Sequence, residues 1–297
     1  MYSKTNLKLL LSFSLVILIL SLLLGCAAKK PFWGDEKTGF LLTYRLAPNQ
    51  VWKYHSTSQE LTNMERMGQA IETERNSIND YSVTGTGTDS ENNLVATIKI
   101  DTIGIASTGM GREMSFDMTP LIGKSFGMTF SPRGKELEFP GADTLEVDFG
   151  MMAGGKQNVK NFFRTIFPDL PAKPIKIGES WTDHDTLTIP QSGMEITVTT
   201  ASNNTISGFE TIAGMECLKI SSKATGAMSG GGETMGMDMT FEGDIEGNST
   251  WYFAYKKGTY VKVESEGFME GTIAISGAQN MTMPITVETK SEVKLLK

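Results

Sequence analysis

Apolar and polar residues alternate along most of the chain after its first 25 residues. Leu94, Ala96, Ile98 and Ile100 occupy every second position, which is typical of a half-buried β-strand. Comparable stretches, rich in Thr, Val, Ile and Tyr, fill both halves of the sequence. They predict a mainly β protein with strands over residues 51–66, 69–85, 94–105, 194–202, 205–212, 216–224, 235–246, 249–255, 259–268, 271–278 and 282–295.

Short polar or glycine-containing sequences separate these predicted strands. Gly258 predicts a turn at 255–259, because glycine adopts positive φ without steric cost. Asn203-Asn204 and Gly247-Asn248 predict two further turns in the same way.

One segment has the period of a helix instead. Its apolar residues recur at i, i+3, i+4, i+7 and i+8 and form one continuous face, comprising Val159, Phe162, Phe163, Ile166 and Phe167. The pattern predicts one amphipathic helix near residues 157–167, which Pro168 ends. Residues 169–174 then form an extended connector. We expect this helix to lie across a curved antiparallel sheet.

The connector also divides the chain. It predicts an N-terminal β unit at 39–170, which ends in the helix, and a C-terminal β unit at 171–297. The curved antiparallel sheets then form either a half-barrel or two tandem β units.

The first residues have the pattern of an export signal. Lys4 and Lys8 precede an apolar run at 9–24, which ends in Gly25-Cys26. Leu23-Leu24-Gly25-Cys26 resembles the lipobox that lipoprotein signal peptidase cuts before an acylated cysteine. We expect a signal peptide at 1–25, lipidation of Cys26 and a lipidated tether at 26–38; the alternative is an uncleaved anchor helix.

An acylated cysteine holds a protein on a membrane without a spanning segment. The sequence therefore predicts a protein of the bacterial cell envelope that is lipid-anchored to a membrane. The short tether has no acidic cluster after Cys26, which favours a body that faces the periplasm.

Charge and cysteine content restrict the classes of partner. Without Lys4 and Lys8 the net charge of −7 becomes −9, which argues against nucleic acid as a partner. Cys217 is left without an intrachain disulfide partner once Cys26 is lipidated. It lies in a predicted strand, where a buried cysteine behaves as a small apolar residue.

Few residues indicate catalysis. In Asp183-His184-Asp185, strand alternation places His184 on the face opposite both aspartates, so we expect it in an exposed polar strand or turn. His55 has no neighbouring partner in the sequence. We assign no catalytic residue, no metal ligand and no cofactor, although an acidic pair assembled by the fold for glycoside hydrolysis stays an alternative.

Methionine is the unusual feature of the composition. Met235, Met237 and Met239 are spaced by two residues and share one face of a predicted strand. Thioethers bind copper(I), but flexible Met side chains also line adaptable apolar pockets, and methionine is frequent throughout the chain. We therefore expect an apolar ligand to contact these Met residues together with Phe162, Phe163, Ile166 and Phe167.

Two groups of short sequences resemble known families. Residues 44–54 and 167–181 look like an uncharacterised family of exported, β-rich bacterial lipoproteins, and this resemblance covers most of the mature chain. Residues 214–220, 251–253 and 258–262 are similar to half-barrel envelope proteins of the lipoprotein-carrier and lipoprotein-receptor type. That second resemblance covers about a third of the chain, and it implies a curved antiparallel sheet around an apolar cavity.

These expectations favour a non-catalytic binding module for an apolar small molecule or for an envelope partner. The alternatives are a structural subunit of an envelope complex and a carboxylate-dependent hydrolase.

Overall fold

The computed structural model describes residues 32–66, 68–109, 111–149, 155–191, 194–234, 237–277 and 280–296. The expected signal peptide, Cys26 and Met235 lie outside these residues. Within them the protein is mainly β, as the alternation of apolar and polar residues predicts.

The described residues contain short strands near the chain start and in the middle, and much longer strands elsewhere. In chain order the strands are β1 (Gly34–Asp35), β2 (Gly39–Phe40), β3 (Val51–Arg66), β4 (Gln69–Thr88), β5 (Leu94–Gly109), β6 (Arg112–Ser115), β7 (Ser125–Phe130), β8 (Glu136–Glu138), β9 (Glu146–Asp148), β10 (Lys156–Asn158), β11 (Ser180–Gln191), β12 (Met194–Ile212), β13 (Met215–Thr234), β14 (Met237–Ala254), β15 (Thr259–Ser276) and β16 (Met281–Leu296).

One curved antiparallel sheet of 12 strands dominates the molecule. Its strand order is β11-β12-β13-β14-β15-β16-β3-β4-β5-β7-β8, and β6 also pairs with β5. The last described strand pairs with the first long one, β16 with β3, so strands from before and after the connector belong to one continuous sheet. The described strands do not close into a barrel; β11 and β8 are the two edges. Two small sheets, β1-β2 and β9-β10, complete the fold.

The turn predicted at 255–259 is present. Gly258 has φ 75° and donates its N–H to the Ala254 carbonyl oxygen at 2.8 Å. A Cβ atom at Gly258 would lie 2.8 Å from the Cβ of Arg45, so only glycine fits there.

The other two predicted turns are wrong. Asn203 and Asn204 lie within β12, and Gly247 and Asn248 lie within β14. Both strands are paired on both sides through these positions, because continuous cross-strand hydrogen bonds outweigh the weak local preference of Asn and Gly for turns.

The predicted amphipathic helix near 157–167 is also wrong. Residues 156–158 form β10, and only Val159–Phe162 is helical, as a single 3-10 turn that the Asn158 side chain caps by accepting the Lys160 N–H at 3.0 Å. Too few residues remain before Pro168 for a stable α-helix. No helix in the described part of the chain is long and apolar enough to cross a membrane.

The core lies at one end of the long strands. Phe163 and Phe167, from the segment predicted to be helical, are buried there, and Phe167 stacks on Phe130 with ring centroids 4.5 Å apart. Tyr44 packs against the same rings and donates its hydroxyl to the Pro168 carbonyl oxygen at 2.9 Å. The apolar period thus predicts burial correctly, although the backbone is not a helix.

Candidate functional site

The long strands have two unlike halves. The core half is the end at which β4-β5, β12-β13 and β14-β15 turn and at which the buried residues lie. The hairpin half is the opposite end, where β3-β4, β5-β6, β11-β12, β13-β14 and β15-β16 turn. Strand β14 runs through both halves. Its residues Trp251–Ala254, in the core half, are buried, whereas most of the positions before them alternate between half-buried and exposed. We call the face that carries Trp251 the inner face and the opposite face the outer face.

The inner face of the hairpin half is apolar on β14, β15 and β16. On β14 it carries Met237, Met239, Phe241 and Ile245, all half-buried. The strand pairing extends this surface sideways, with Ile275 and Ile273 of β15 next to Met239 and Phe241, and with Met281, Met283, Ile285 and Val287 on β16.

Glycines on β13 give this surface its shape. Gly232, Gly230 and Gly226 lie directly opposite Met239, Phe241 and Ile245. A Cβ atom at Gly226 would lie 2.2 Å from the Thr199 carbonyl oxygen of β12, so the backbones approach more closely here than a side chain permits. Met228 lies between these glycines, opposite Gly243, so Met239, Phe241 and Ile245 each face a position of β13 that has no side chain.

The outer face of the same strands is charged and exposed. Asp244 lies opposite Glu270, and Phe268 is an isolated exposed aromatic residue opposite Glu246. The apolar character is therefore confined to the inner face of the sheet.

A polar cavity of about 380 Å³ lies between the inner face and residues 162–169. Small polar side chains from successive strands line it, including Ser202, Asn204, Ser222, Ser249, Ser265 and Ser291. Trp251 lies at the base of this polar lining, with its ring centroid 6.0 Å from that of Trp181.

Three aspartates meet beside this cavity. Asp183 and Asp185 both project from the inner face of the edge strand β11, because they are two residues apart. Asp169 approaches them from the connector after Pro168, and one carboxylate oxygen from each residue lies within 4.8 Å of the others. Burial, together with the neighbouring Asp183 and Asp185, raises the pKa of Asp169 to about 8.

Asp169 and Asp185 separate the cavity from a second cleft. That cleft has a volume of about 580 Å³ and contains Glu136. Glu136 accepts the Phe167 N–H at 3.0 Å, and its burial raises the pKa of this carboxyl well above the usual range. The three-aspartate cluster is thus reached from both sides, and its supporting loop is held by a hydrogen bond to Glu136.

The structure separates the predicted ligand-binding residues into two groups. Phe162, Ile166 and Phe167 line the polar cavity, and Phe163 is buried between Tyr81 and Phe126. The second group, Met237 and Met239, lies on the inner face of the hairpin half. About 40 Å of strand separates Met239 from Trp251 at the cavity, at about 3.3 Å per residue.

The remaining candidates lie away from the cavity. His184 is on the outer face of β11, as alternation predicts. His55 Nδ1 is 2.6 Å from Asp80 on the outer face, a partner that strand pairing rather than sequence proximity supplies. Cys217 is buried in a small second cluster, and burial raises the pKa of its thiol to about 11.

The sequence interpretation missed two residues of this site. Asn204 belongs to a predicted turn, yet in the structure it is 5% exposed and lines the cavity. Asp169 lies in the connector, and no local pattern places it near β11. The spacing of Asp183 and Asp185 was the available signal, because it predicts two carboxylates on one face of a strand.

Comparison with known proteins gives no assignment. No family model matches the chain, and no curated protein matches it. Among solved structures it is similar to a DUF1329 family protein from Desulfovibrio piger, with 7% identity, a TM-score of 0.21, and coverage of 79% of this chain and 83% of that one. OccK5 (OpdH) of Pseudomonas aeruginosa has 6% identity and a TM-score of 0.25, with 85% of this chain and 100% of that one covered. Similarities this low carry no argument about what the chain binds.

Proposed function

We propose that this protein is a lipid-anchored envelope protein whose body binds an apolar ligand, such as an acyl chain, along the inner face of the hairpin half. The observation that carries the proposal is the half-buried apolar surface formed by Met239, Phe241, Ile245, Ile273 and Ile275, on a sheet whose outer face is charged. Contiguous apolar surface of this kind is typical of ligand or partner sites.

The shape and chemistry of the surface suit a long, flexible ligand. Gly226, Gly230 and Gly232 leave space opposite the large side chains of β14, and Met side chains adapt to irregular apolar shapes. Burial contributes about 25 cal/mol for each Å² of apolar area removed from water. A chain-like ligand that covers this surface therefore gains free energy along its whole length.

The sequence supports the location. Leu23-Leu24-Gly25-Cys26 resembles a lipobox, and an acylated Cys26 would hold the body at a membrane surface. Replacing Cys26 by Ala should abolish incorporation of radiolabelled palmitate and leave an unprocessed precursor. Continued labelling of the Cys26→Ala protein would contradict the anchor.

Native mass spectrometry tests the ligand. Residues 27–297 would be produced in a bacterial periplasm, purified without detergent and weighed under native conditions. We expect an excess mass that extracts into organic solvent and matches a lipid. A clean protein mass, with no uptake of added fatty acid, would refute binding of an apolar small molecule.

A matched pair of variants localises the binding. Phe241→Gln changes the inner face, and Phe268→Gln makes the same substitution on the outer face of the neighbouring strand. We expect Phe241→Gln to weaken binding of a fluorescent fatty acid about tenfold or more, since about 1.5–3 kcal/mol accompanies burial of a Phe side chain. Phe268→Gln should leave binding unchanged. Equal effects of the two substitutions would exclude the inner face as the site.

A further inference from the structure

Exposed apolar side chains lie together at the far end of the core half, where the described part of the chain begins. Phe32 is 60% exposed, Phe209 40% and Ile177 39%. A folded protein seldom exposes several large apolar side chains at one place unless that surface meets a partner or a membrane. We call Phe32, Ile177 and Phe209 the tether-side patch.

The tether-side patch surrounds a buried aromatic pair, Phe40 and Tyr255, whose ring centroids are 5.1 Å apart. The Phe209 ring packs on both, with centroid distances of 5.6 Å to Phe40 and 6.2 Å to Tyr255. The Arg45 guanidinium donates to the Tyr255 carbonyl oxygen at 2.6 Å and lies over the Phe32 ring, 4.5 Å from its centroid. Phe32 and Phe209 therefore belong to one surface.

Ile177 reaches the same place along the connector. Ile175 and Phe40 exchange backbone hydrogen bonds, at 2.7 Å from the Phe40 N–H and at 3.1 Å from the Ile175 N–H. The Gly178 N–H donates to the Ile206 carbonyl oxygen at 2.8 Å, which holds this part of the connector against β12. Three separate stretches of chain thus place an exposed apolar side chain around Phe40.

The position of Phe32 limits how far the patch can lie from an acylated Cys26. Phe32 is the sixth residue after Cys26, and an extended chain spans at most about 3.6 Å for each residue. The two residues are therefore no more than about 22 Å apart. This step rests on the lipid anchor proposed above: with the Cys26 acyl chains in a bilayer, the tether-side patch stays beside the membrane surface.

Charged side chains beside the patch are compatible with a bilayer that contains acidic lipids. Lys176 precedes Ile177, and Lys257 lies in the turn between β14 and β15. Both are exposed, and neither forms an ion pair within the part of the chain that the structure describes. Glu36 and Glu179 are also exposed in this region, so the lysines alone do not select a membrane. The apolar side chains therefore supply most of the attraction.

We propose that the tether-side patch docks on the bilayer that holds Cys26, with Phe32, Ile177 and Phe209 in the head-group region. Apolar side chains of a peripheral protein enter about 5–10 Å into the boundary between head groups and acyl chains. The acyl anchor restricts the distance of the body from the membrane, and the patch sets its orientation. The long strands then extend away from the bilayer, and the tips of the hairpin half lie up to about 55 Å from it, at about 3.3 Å for each residue of β14.

Quenching by spin-labelled lipids tests the docking. The lipidated protein would be reconstituted in vesicles of phosphatidylethanolamine and phosphatidylglycerol, with an NBD fluorophore on either Phe209→Cys or Phe268→Cys. These positions are 40% and 41% exposed, so they are a matched pair in the two halves of the sheet, and the native Cys217 is buried. We expect lipids with a doxyl group near the head group to quench NBD at position 209 at least about twofold more than at position 268.

A second anchor makes this test independent of the lipidation of Cys26. Residues 27–297, which include every residue that the structure describes, would carry an N-terminal histidine tag and be held on vesicles that contain a nickel-chelating lipid. Stronger quenching at position 209 than at position 268 would support the docking even if Cys26→Ala showed that no acyl chain is attached. Equal quenching at the two positions in both anchored forms would overturn the docking and leave the lipid anchor standing.

Substitutions within the patch measure its apolar contribution. With NBD on Ile177→Cys in the anchored protein, Phe32→Ser/Phe209→Ser should reduce quenching by about half or more, because two apolar side chains no longer gain from leaving water. Phe268→Ser is the matched control and should leave quenching unchanged. Circular dichroism verifies that each variant is folded, and the single Phe32→Ser variant replaces the double variant if that one is not. Equal quenching in the patch variant and the control would contradict the proposal.

Discussion

The two halves of the same long strands differ in how far their inner faces are covered. In the core half, inner-face residues such as Trp251 and Phe253 of β14 pack against Tyr44, Phe167 and other aromatic residues. In the hairpin half, Phe241 and Ile245 on the same face of the same strand stay half-buried. Both halves carry large apolar side chains on the inner face. They differ in whether other residues of the chain pack over those side chains. Buried side chains from residues 118–121 and 159–170 cover the core half, and we propose that a ligand covers the hairpin half.

Truncation of an aromatic side chain should reveal this difference most strongly. Phe167 is 3% exposed and stacks on Phe130, so Phe167→Ala should lower the free energy of unfolding by about 3–5 kcal/mol. Phe241→Ala should cost less than about 1.5 kcal/mol without ligand, because its side chain leaves no enclosed cavity. Urea unfolding measures both. Comparable losses would mean that the hairpin half is also a stability core.

Two glycines on β13 sharpen the comparison further. Gly226→Ala should destabilise the protein by about 2 kcal/mol, because the new Cβ would lie 2.2 Å from the Thr199 carbonyl oxygen. At Gly231 the nearest atom to a new Cβ would be 3.6 Å away, so Gly231→Ala should be neutral or stabilise by up to about 1 kcal/mol. Thermal unfolding of the two variants provides the measurement. Similar Tm values would show that the strands relax freely around Gly226.

The rate of cysteine alkylation measures how accessible each half is to reagents in solution. Burial raises the pKa of Cys217 to about 11, so little thiolate forms at pH 8 and iodoacetamide should leave it intact until urea is added. As the pH rises towards 11, the reaction should accelerate. A Met239→Cys variant, on the half-buried inner face, should react in the native state and should be protected by a bound fatty acid. Mass spectrometry of the labelled protein distinguishes the two positions, and fast native labelling of Cys217 would contradict its burial.

The smallest effect is expected on the outer face, where stability and binding are both weakly affected. Asp244 lies directly opposite Glu270, a like-charge pair, so Glu270→Lys should stabilise the protein by about 0.2–1 kcal/mol at low salt. Glu266→Lys is the matched control, because it would lose its ion pair with Lys290 at 4.0 Å and place two lysines together. Urea unfolding should give shifts of opposite sign, and both should shrink at high salt.

The alternation of residues predicted most of the strands correctly, because long strands with one apolar face leave a strong period of two. It failed at Asn204, where a residue that disfavours strands is retained in β12 and faces the cavity. It failed also at 157–167. There the helical period of the apolar residues predicts which side chains are buried, but the backbone is not helical beyond Val159–Phe162. The side-by-side placement of Asp183 and Asp185 was readable from their spacing. The approach of Asp169 was not, because it depends on how a loop folds over a sheet edge.

The pairing of β16 with β3 has a consequence for the order of assembly. This contact joins the first long strand to the last described one, at the middle of the sheet rather than at its edge. Pairings between residues far apart in sequence form slowly, because a long loop must close first. The sheet therefore cannot be completed from one end of the chain as it emerges from a ribosome or a translocon. Residues 51–66 therefore lack one of their two neighbouring strands until residues 281–296 have been synthesised.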